Sequence, residues 1–260
     1  MIEIVERFCT VQQQNETEKD IKLLNNPKIE EFVFEGISLK GYSWGSGRNI
    51  LLVHGWESRA SHMAFIGRDL AKNGFHVLAF DAPAHGSSLK AEGINKSNMF
   101  EFCRAIKRVA DHLQPLYAVI GHSMGATSAA FAAAGHERLS EFKIVPEKLV
   151  MISPLTGVEA MAQRYCHNSG IPGKIEELIE GLENEFKFSR ENYYLPDVMR
   201  KINSGILIIH DEDDEEIPVS DALKLKNAAN SAEFLMTKGS GHQRILINRE
   251  ALRKIKGFLI

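Results

Sequence analysis

The sequence has few of the features that mark secreted, metal-binding or membrane-spanning proteins. Only three cysteines occur among 260 residues, and Cys9, Cys103 and Cys166 lie too far apart for a zinc or CxxC motif. Such a sparse, odd count is typical of reduced thiols. No apolar run approaches the roughly 20 residues of a membrane-spanning helix, and the first residues do not form a secretory signal pattern. We therefore expect a cytoplasmic protein with no membrane partner.

An excess of charge of one sign is also missing. The chain has 31 basic and 34 acidic residues, for a formal net charge of -3. This balance gives no general attraction to nucleic acid, so we expect no nucleic-acid partner. Hydrophobic residues make up 44% of the chain, which is ordinary for a globular protein. The length suits a single α/β domain over residues 1–260, and nothing in the pattern indicates an oligomeric state.

What the sequence does contain is an alternation of apolar runs of strand length with helical segments. The runs are NILLVHGW, FHVLAFDA, PLYAVIGHS, EKLVMISPL, GILIIHDED and AEFLMTKGSG. Two further strands flank a predicted turn at Glu35-Gly36, and the last segment, HQRILINREALRKIKGFLI, is predicted to be one closing helix. Continuous apolar strands separated by helices predict a mostly parallel, doubly wound sheet of about eight strands.

Residues 156–203 interrupt this alternation, because they are too many for one crossover helix. We interpret them as a small helical cap inserted over the carboxyl edge of the sheet; a long decorated crossover is the alternative. Six large side chains of the segment are candidates to face a pocket, although each could equally form the core of the insertion. They are Met161, Tyr165, Phe186, Phe188, Tyr193 and Tyr194.

The stretch Gly121-His122-Ser123-Met124-Gly125 has the form G-x-S-x-G. It follows an apolar run and opens a helical run, which is the setting that a nucleophile elbow requires. Glycines two positions away on each side make room for a sharp turn that lifts the serine clear of the sheet. The backbone N–H of Met124 then faces a position where an oxyanion could form. A structural turn is the alternative reading.

A nucleophilic serine needs a base, usually a histidine. His242 lies in a glycine-rich loop between the last predicted strand and the closing helix, at the edge where ligands bind in such sheets. His210, by contrast, ends a buried strand, and His167 belongs to the insertion. We therefore predict that His242 is the base.

An acid that holds this histidine is expected among residues 211–216, DEDDEE, most of which we interpret as a solvated loop. Asp214 is the preferred acid, because it precedes Ile217-Pro218 at the tip of the loop. Asp213 and Asp211 remain alternatives.

A second oxyanion donor is predicted to come from another strand end. His54-Gly55 ends the strand LLVHG, and the backbone N–H of Trp56 follows it. We also expect His54, Gly55 and His122 to border the substrate pocket. In the alternative, His54 and Trp56 only pack beneath the insertion.

In their order and spacing, VHGW, DAPAHGSS, GHSMG, HDEDDEEIP and GSGH resemble the α/β-hydrolase superfamily from about Phe32 to Ile260. The resemblance implies an oxyanion motif at His54-Gly55, a nucleophile at Ser123, an acid at Asp214 and a base at His242. It departs from the family pattern in two places. His85 stands where a glycine is more usual, and Asp211 where many relatives have glycine. We interpret Asp81 and His85 as structural.

This resemblance implies acyl transfer through a covalent acyl-enzyme, without a metal or organic cofactor. A carboxylesterase acting on a small-molecule ester is the leading interpretation. A thioesterase, a lipase or another acyl hydrolase would use the same machinery. A binding protein that keeps the fold without turnover is the interpretation from a different class.

Overall fold

The computed structural model describes residues 2–12, 16–88, 95–229 and 231–260, and its centre is one eight-stranded sheet. The strands lie in the order β1-β2-β4-β3-β5-β6-β7-β8. They are β1 (Lys28–Phe34), β2 (Ile37–Trp44), β3 (Arg48–Val53), β4 (Phe75–Phe80), β5 (Leu116–His122), β6 (Lys148–Ile152), β7 (Gly205–Asp211) and β8 (Glu233–Thr237).

The pairing within the sheet is mostly parallel. Strands β1 and β2 pair antiparallel, as do β2 and β4, and every other neighbouring pair is parallel. The β1–β2 turn uses Glu35 and Gly36, both with positive φ (46° and 83°). The predicted α/β class and the number of strands are therefore confirmed. Because β3 and β5 to β8 run parallel, their carboxyl ends meet at one edge of the sheet.

Eleven α-helices lie within the described residues. They are α1 (Ile2–Cys9), α2 (Glu18–Leu24), α3 (Ala60–Lys72), α4 (Met99–His112), α5 (Met124–Ala134), α6 (Val158–Asn168), α7 (Ile175–Phe186), α8 (Leu195–Val198), α9 (Val219–Ala228), α10 (Gly241–Arg244) and α11 (Arg249–Leu259). No helix in these ranges is both long and apolar enough to cross a membrane.

The closing segment differs from the single helix predicted for it. It is divided into α10, a 3₁₀ turn and α11, with the last break at Asn248. The side-chain oxygen of Asn248 accepts hydrogen bonds from the backbone N–H groups of Glu250 and Ala251. This N-cap starts a new helix, because it satisfies donors that have no partner within the helix.

The core lies on both faces of the sheet, as a parallel sheet requires. On β3, Leu51 and Val53 belong to the hydrophobic cluster on one face, and Ile50 and Leu52 belong to the cluster on the other. Helix α5, rich in alanine, is buried along its whole length. Its small side chains let it pack closely beneath the edge where β5 ends.

The segment predicted as a cap connects β6 to β7 and contains α6, α7 and α8. Leu178, Ile179 and Leu182 of α7 are buried in the same cluster as the sheet residues on that face. Helix α1 packs against α7. The segment between the two strands is thus joined by an element from the N-terminal end of the chain.

Candidate active site

Ser123 sits at a strained turn between β5 and α5. Its backbone has φ 54° and ψ −124°, a region that residues other than glycine rarely occupy. Its N–H donates to the carbonyl of Ile152 on β6 (2.9 Å), which anchors the turn to the sheet. A Cβ at Gly121 would lie 2.5 Å from the amide nitrogen of Ala126, and one at Gly125 would lie 2.5 Å from the carbonyl oxygen of Val53. Only glycine fits at either position.

Asp214 and His242 form a buried hydrogen-bonded pair. The Nδ1–H of His242 donates to Oδ2 of Asp214 at 2.8 Å. The other carboxylate oxygen, Oδ1, accepts from the backbone N–H groups of Glu216 (2.9 Å) and Ile217 (2.8 Å). Burial by itself would raise the pKa of Asp214, but the hydrogen bond and charge of His242 outweigh it and lower that pKa to about 2. Asp214 is therefore ionised near neutral pH and keeps the proton of His242 on Nδ1.

Asp211 holds the loop that carries His242. Its buried carboxylate accepts hydrogen bonds from Thr237 Oγ1 (2.7 Å) and from the backbone N–H groups of Asp213 (3.1 Å), Ser240 (3.2 Å) and Gly241 (2.9 Å). Burial raises the pKa of Asp211, and these donors more than reverse that effect and lower it. Sequence reasoning considered Asp211 only as an alternative acid. The sequence did carry a signal for this structural role: Asp211 ends a buried apolar strand, and a buried carboxylate needs several hydrogen-bond donors.

His122, which the sequence predicts to border the pocket, contacts His242. Its Nε2–H donates to the main-chain carbonyl of His242 (2.9 Å), and the two ring centroids are 4.7 Å apart. Its side chain is buried. Burial, followed by the nearby His242, lowers the pKa of His122 to about 3, so its ring is neutral. Because His122 directly precedes Ser123, this contact brings the serine turn and the histidine loop together.

His54 is buried and has protein partners on both ring nitrogens. Its Nδ1–H donates to the carbonyl of Gly55 (2.7 Å), and its Nε2 accepts from the N–H of Ala82 (2.9 Å). Burial holds the pKa of His54 well below its usual range. The structure thus places His54 between the loop at Gly55 and the turn at Ala82. Gly55 lies against the Ser123 turn, since a Cβ there would lie 3.0 Å from Cβ of Ser123.

The DAPAHGSS turn is organised by Asp81. Its carboxylate accepts from the backbone N–H of Ala60 (2.7 Å), at the start of α3, and from that of Ser87 (2.9 Å). Gly86 has φ 50°, and a Cβ there would lie 2.6 Å from Oδ1 of Asp81. The ring of His85 is buried, with its Nδ1–H donating to Pro83 O (2.9 Å). The carboxylate of Asp81 and the imidazole of His85 therefore both stabilise this turn.

A cavity of about 520 Å³ opens beside the serine turn, between the sheet edge and the helices above it. Trp56 and Met124, the two predicted oxyanion donors, both line it. Of the six large side chains proposed from the insertion, four line the cavity, namely Met161, Tyr165, Phe186 and Phe188. Tyr193 is instead fully buried in the core, and Tyr194 is not a lining residue.

Glu216 approaches the histidine from the side opposite Asp214. Its Oε2 lies 3.9 Å from Nε2 of His242 and forms an ion pair with Arg164 of helix α6. The side chains of Arg164 and Glu216 are 27% and 34% exposed, so solvent reaches this pair. Sequence reasoning assigned Glu216 to the solvated loop; the ion pair joins that loop to the segment above the sheet.

A metal centre finds no support in the described part of the chain, where no group of three His, Cys, Asp or Glu side chains could hold an ion. The groups described above are a serine at a strained turn, a histidine–carboxylate pair, and the backbone N–H groups of Trp56 and Met124, which directly follow Gly55 and Ser123. Such a set of groups can activate a hydroxyl and stabilise negative charge on a carbonyl oxygen.

The sequence profile of the alpha/beta hydrolase family matches residues 50–190, which is more than half of the chain. The chain belongs to this family. The match includes the loop at Gly55 and Trp56, the Ser123 turn and much of the segment between β6 and β7.

Curated relatives of this alpha/beta hydrolase include a serine hydrolase-like protein and a lipase. A serine hydrolase-like protein of Dictyostelium discoideum is 30% identical over 121 residues, or 45% of this chain and 34% of that protein. The lysophosphatidylserine lipase ABHD12 of Xenopus tropicalis is 27% identical over 197 residues, or 72% of this chain and 48% of the lipase. The matches thus span between a third and a half of the length of these relatives.

Solved structures show the same fold. The esterase Pf2001 of Pyrococcus furiosus superposes with a TM-score of 0.68 at 21% identity, covering 96% of this chain and 95% of the esterase. A thioesterase domain from the curacin biosynthetic pathway gives a TM-score of 0.65 at 18% identity, covering 90% of this chain and 99% of that domain.

Proposed function

We propose that this alpha/beta hydrolase is a serine esterase that cleaves small carboxylic esters through an acyl-enzyme. The main support is the combination of a strained serine at position 123 with the 2.8 Å hydrogen bond between His242 and Asp214. A receptor that only binds ligand has no need of a serine held in a costly conformation, or of a buried histidine that is hydrogen-bonded to a carboxylate. The proposal makes Ser123 the nucleophile, His242 the base and Asp214 the acid.

In the proposed mechanism, Ser123 Oγ attacks the ester carbonyl carbon while Nε2 of His242 takes its proton. The N–H groups of Trp56 and Met124 donate to the oxyanion, and each such donor contributes about 3 kcal/mol to transition-state stabilisation. His242 then protonates the leaving alcohol. Water, deprotonated by the same nitrogen, hydrolyses the acyl-enzyme and regenerates Ser123. Asp214 stays ionised throughout and stabilises the imidazolium.

A lipase acting on longer acyl esters is the second candidate. Two observations favour it: the lining of the cavity includes many apolar side chains, and several curated relatives are lysophosphatidylserine lipases. Both candidates use the same three residues. They differ in the length of acyl chain that the cavity accepts.

The test combines covalent labelling with turnover. We expect a fluorophosphonate probe to label the wild-type protein and p-nitrophenyl butyrate to be hydrolysed, with both signals lost in Ser123→Ala. Ser128→Ala is a matched control, because Ser128 is a buried serine on α5 whose Oγ has no hydrogen-bond partner in the structure. It should keep wild-type labelling and rate. Turnover by Ser123→Ala at the wild-type rate would refute the assignment of the nucleophile.

A further inference from the structure

The N-terminal helix α1 belongs to the wall of the cavity, which sequence reasoning did not foresee. Arg7 and Phe8 of α1, and Thr10 and Gln12 just after it, line the cavity. The same cavity is lined on its other sides by α6, α7 and the oxyanion residue Trp56.

This wall is fixed to the body of the protein by backbone hydrogen bonds. The N–H of Ser97 donates to the carbonyl of Cys9 (2.8 Å), and the N–H of Val11 donates to the carbonyl of Asn95 (2.7 Å). The N–H of Gln12 donates to the carboxylate of Glu57 at 3.0 Å. Since Glu57 directly follows Trp56, the N-terminal segment is tied to the loop that carries an oxyanion donor.

Phe8 is the large apolar side chain that α1 presents to the cavity. It is partly buried, and its ring meets that of Tyr165 on α6 edge to face, with centroids 5.2 Å apart and planes at 84°. Both residues line the cavity. Phe8 and Tyr165 thus close the cavity where α1 meets α6, and the size of the side chain at position 8 limits the space available there.

The arrangement also indicates which half of an ester occupies this space. The two predicted oxyanion donors, Trp56 and Met124, both line the cavity, so the carbonyl of a bound ester would lie at its edge. Arg164 lines the cavity, and its ion-pair partner Glu216 lies 3.9 Å from Nε2 of His242. The ion pair therefore marks the part of the cavity that approaches His242, and we assign the acyl chain to the apolar remainder of the lining, which includes Phe8, Phe186 and Phe188.

We propose that α1 forms the end wall of an acyl-binding cavity and that Phe8 determines the length of acyl chain accepted. The inference rests on the proposed esterase function and adds to it a substrate class: esters with a straight apolar acyl chain whose end lies against Phe8. Each methylene that reaches apolar surroundings improves kcat/KM about fourfold, until the chain meets the wall.

The experiment compares kcat/KM for p-nitrophenyl acetate, butyrate, octanoate and decanoate in the full-length chain. Phe8→Ala is expected to raise the ratio of decanoate to acetate about tenfold, and Phe8→Leu is expected to raise it by a smaller factor. Phe8→Trp should lower the same ratio, because the larger ring shortens the space for the acyl chain. Ile2→Ala is the matched control, since Ile2 lies on the same helix and is 79% exposed; its ratio should not change.

Thermal unfolding of each variant separates a change of specificity from a loss of structure. Phe8→Leu and Phe8→Trp keep an apolar contact with Tyr165, so these two variants test the role of Phe8 if Phe8→Ala is unfolded. Folded, active Phe8 variants with decanoate-to-acetate ratios within twofold of the wild type would overturn the role of Phe8. A folded wild-type protein that neither reacts with the fluorophosphonate nor hydrolyses any of the four esters would instead refute the proposed function, and the inference with it.

Discussion

Asp214→Asn is the substitution whose effect the geometry defines most sharply. Oδ1 of Asp214 accepts two backbone N–H groups, from Glu216 and Ile217, so this position needs an oxygen. An asparagine there places its amide oxygen on those donors and turns its NH₂ toward Nδ1 of His242. Two donors cannot face each other, and the histidine must move its proton to Nε2. The nitrogen that should accept the proton of Ser123 is then already protonated.

The expected loss follows from this change of tautomer. In a serine–histidine–aspartate site, the wrong tautomer lowers kcat by about 10⁴-fold, or about 5.5 kcal/mol. By contrast, the folded protein should be destabilised by only about 2 kcal/mol, because the pKa of Asp214 is lowered from 3.8 to about 2. Asp214→Asn should therefore remain folded at 25 °C while nearly inactive.

The assay is the hydrolysis of p-nitrophenyl butyrate under saturating substrate, with chemical denaturation as the measure of stability. Asp213→Asn is the matched control: Asp213 is exposed, and its carboxylate accepts from the N–H of Gly239 rather than from a histidine. It should retain a rate within a few fold of the wild type. The assigned acid is wrong if Asp214→Asn keeps more than a tenth of the wild-type kcat. It is also wrong if Asp213→Asn lowers kcat more than Asp214→Asn does.

Three further predictions concern packing, the histidine loop and pH. Gly125→Ala should lower the free energy of unfolding by about 3 kcal/mol and the Tm by about 9 °C, because its Cβ would overlap the carbonyl oxygen of Val53. Gly257→Ala in α11 is the control: an added Cβ there would meet no atom within 4 Å, so the substitution should be neutral or slightly stabilising in calorimetry. Equal losses of Tm in the two variants would contradict this reasoning. Asp211→Ala should reduce kcat about 100-fold with little change in KM, because the loop that carries His242 loses the acceptor of its backbone N–H groups. Steady-state kinetics test this, with Glu212→Ala as the control, since Glu212 is exposed. Equal kcat values for the two variants would refute the prediction. The lowered pKa of Asp214 stabilises the fold above about pH 4, and this contribution disappears as the pH falls through about 2. Urea unfolding should therefore show a loss of about 2 kcal/mol over that range in the wild type that is absent from Asp214→Asn; identical pH dependence in the two proteins would count against it.

The order of strands and helices could be derived from the sequence, because apolar runs of strand length alternate with helical segments. The same order selected Asp214 and His242, which the structure brings to 2.8 Å. It did not show that the closing segment divides at Asn248. A local side-chain cap competes there with continuation of the helix, and the apolar pattern is similar in either case.

Hydrogen bonding between distant segments explains what sequence reasoning missed at the site. His54 was expected at a pocket, but it bonds Ala82, 28 residues away, and is buried. Gln12 bonds Glu57, 45 residues away, and this contact brings α1 to the cavity. Periodicity describes which face of an element is buried, not which remote loop it meets. Contacts of this kind become visible only when donors and acceptors are followed through the folded chain.

The left-handed backbone at Ser123 has a consequence for any attempt to improve this protein. A residue with a side chain in that conformation costs of order 1–3 kcal/mol, and glycine would relieve the cost. A library selected only for heat resistance would therefore favour replacing Ser123, the residue that we propose as the nucleophile. Stability and catalysis favour different residues at this position, so a selection must measure the product formed rather than the amount of protein that stays folded.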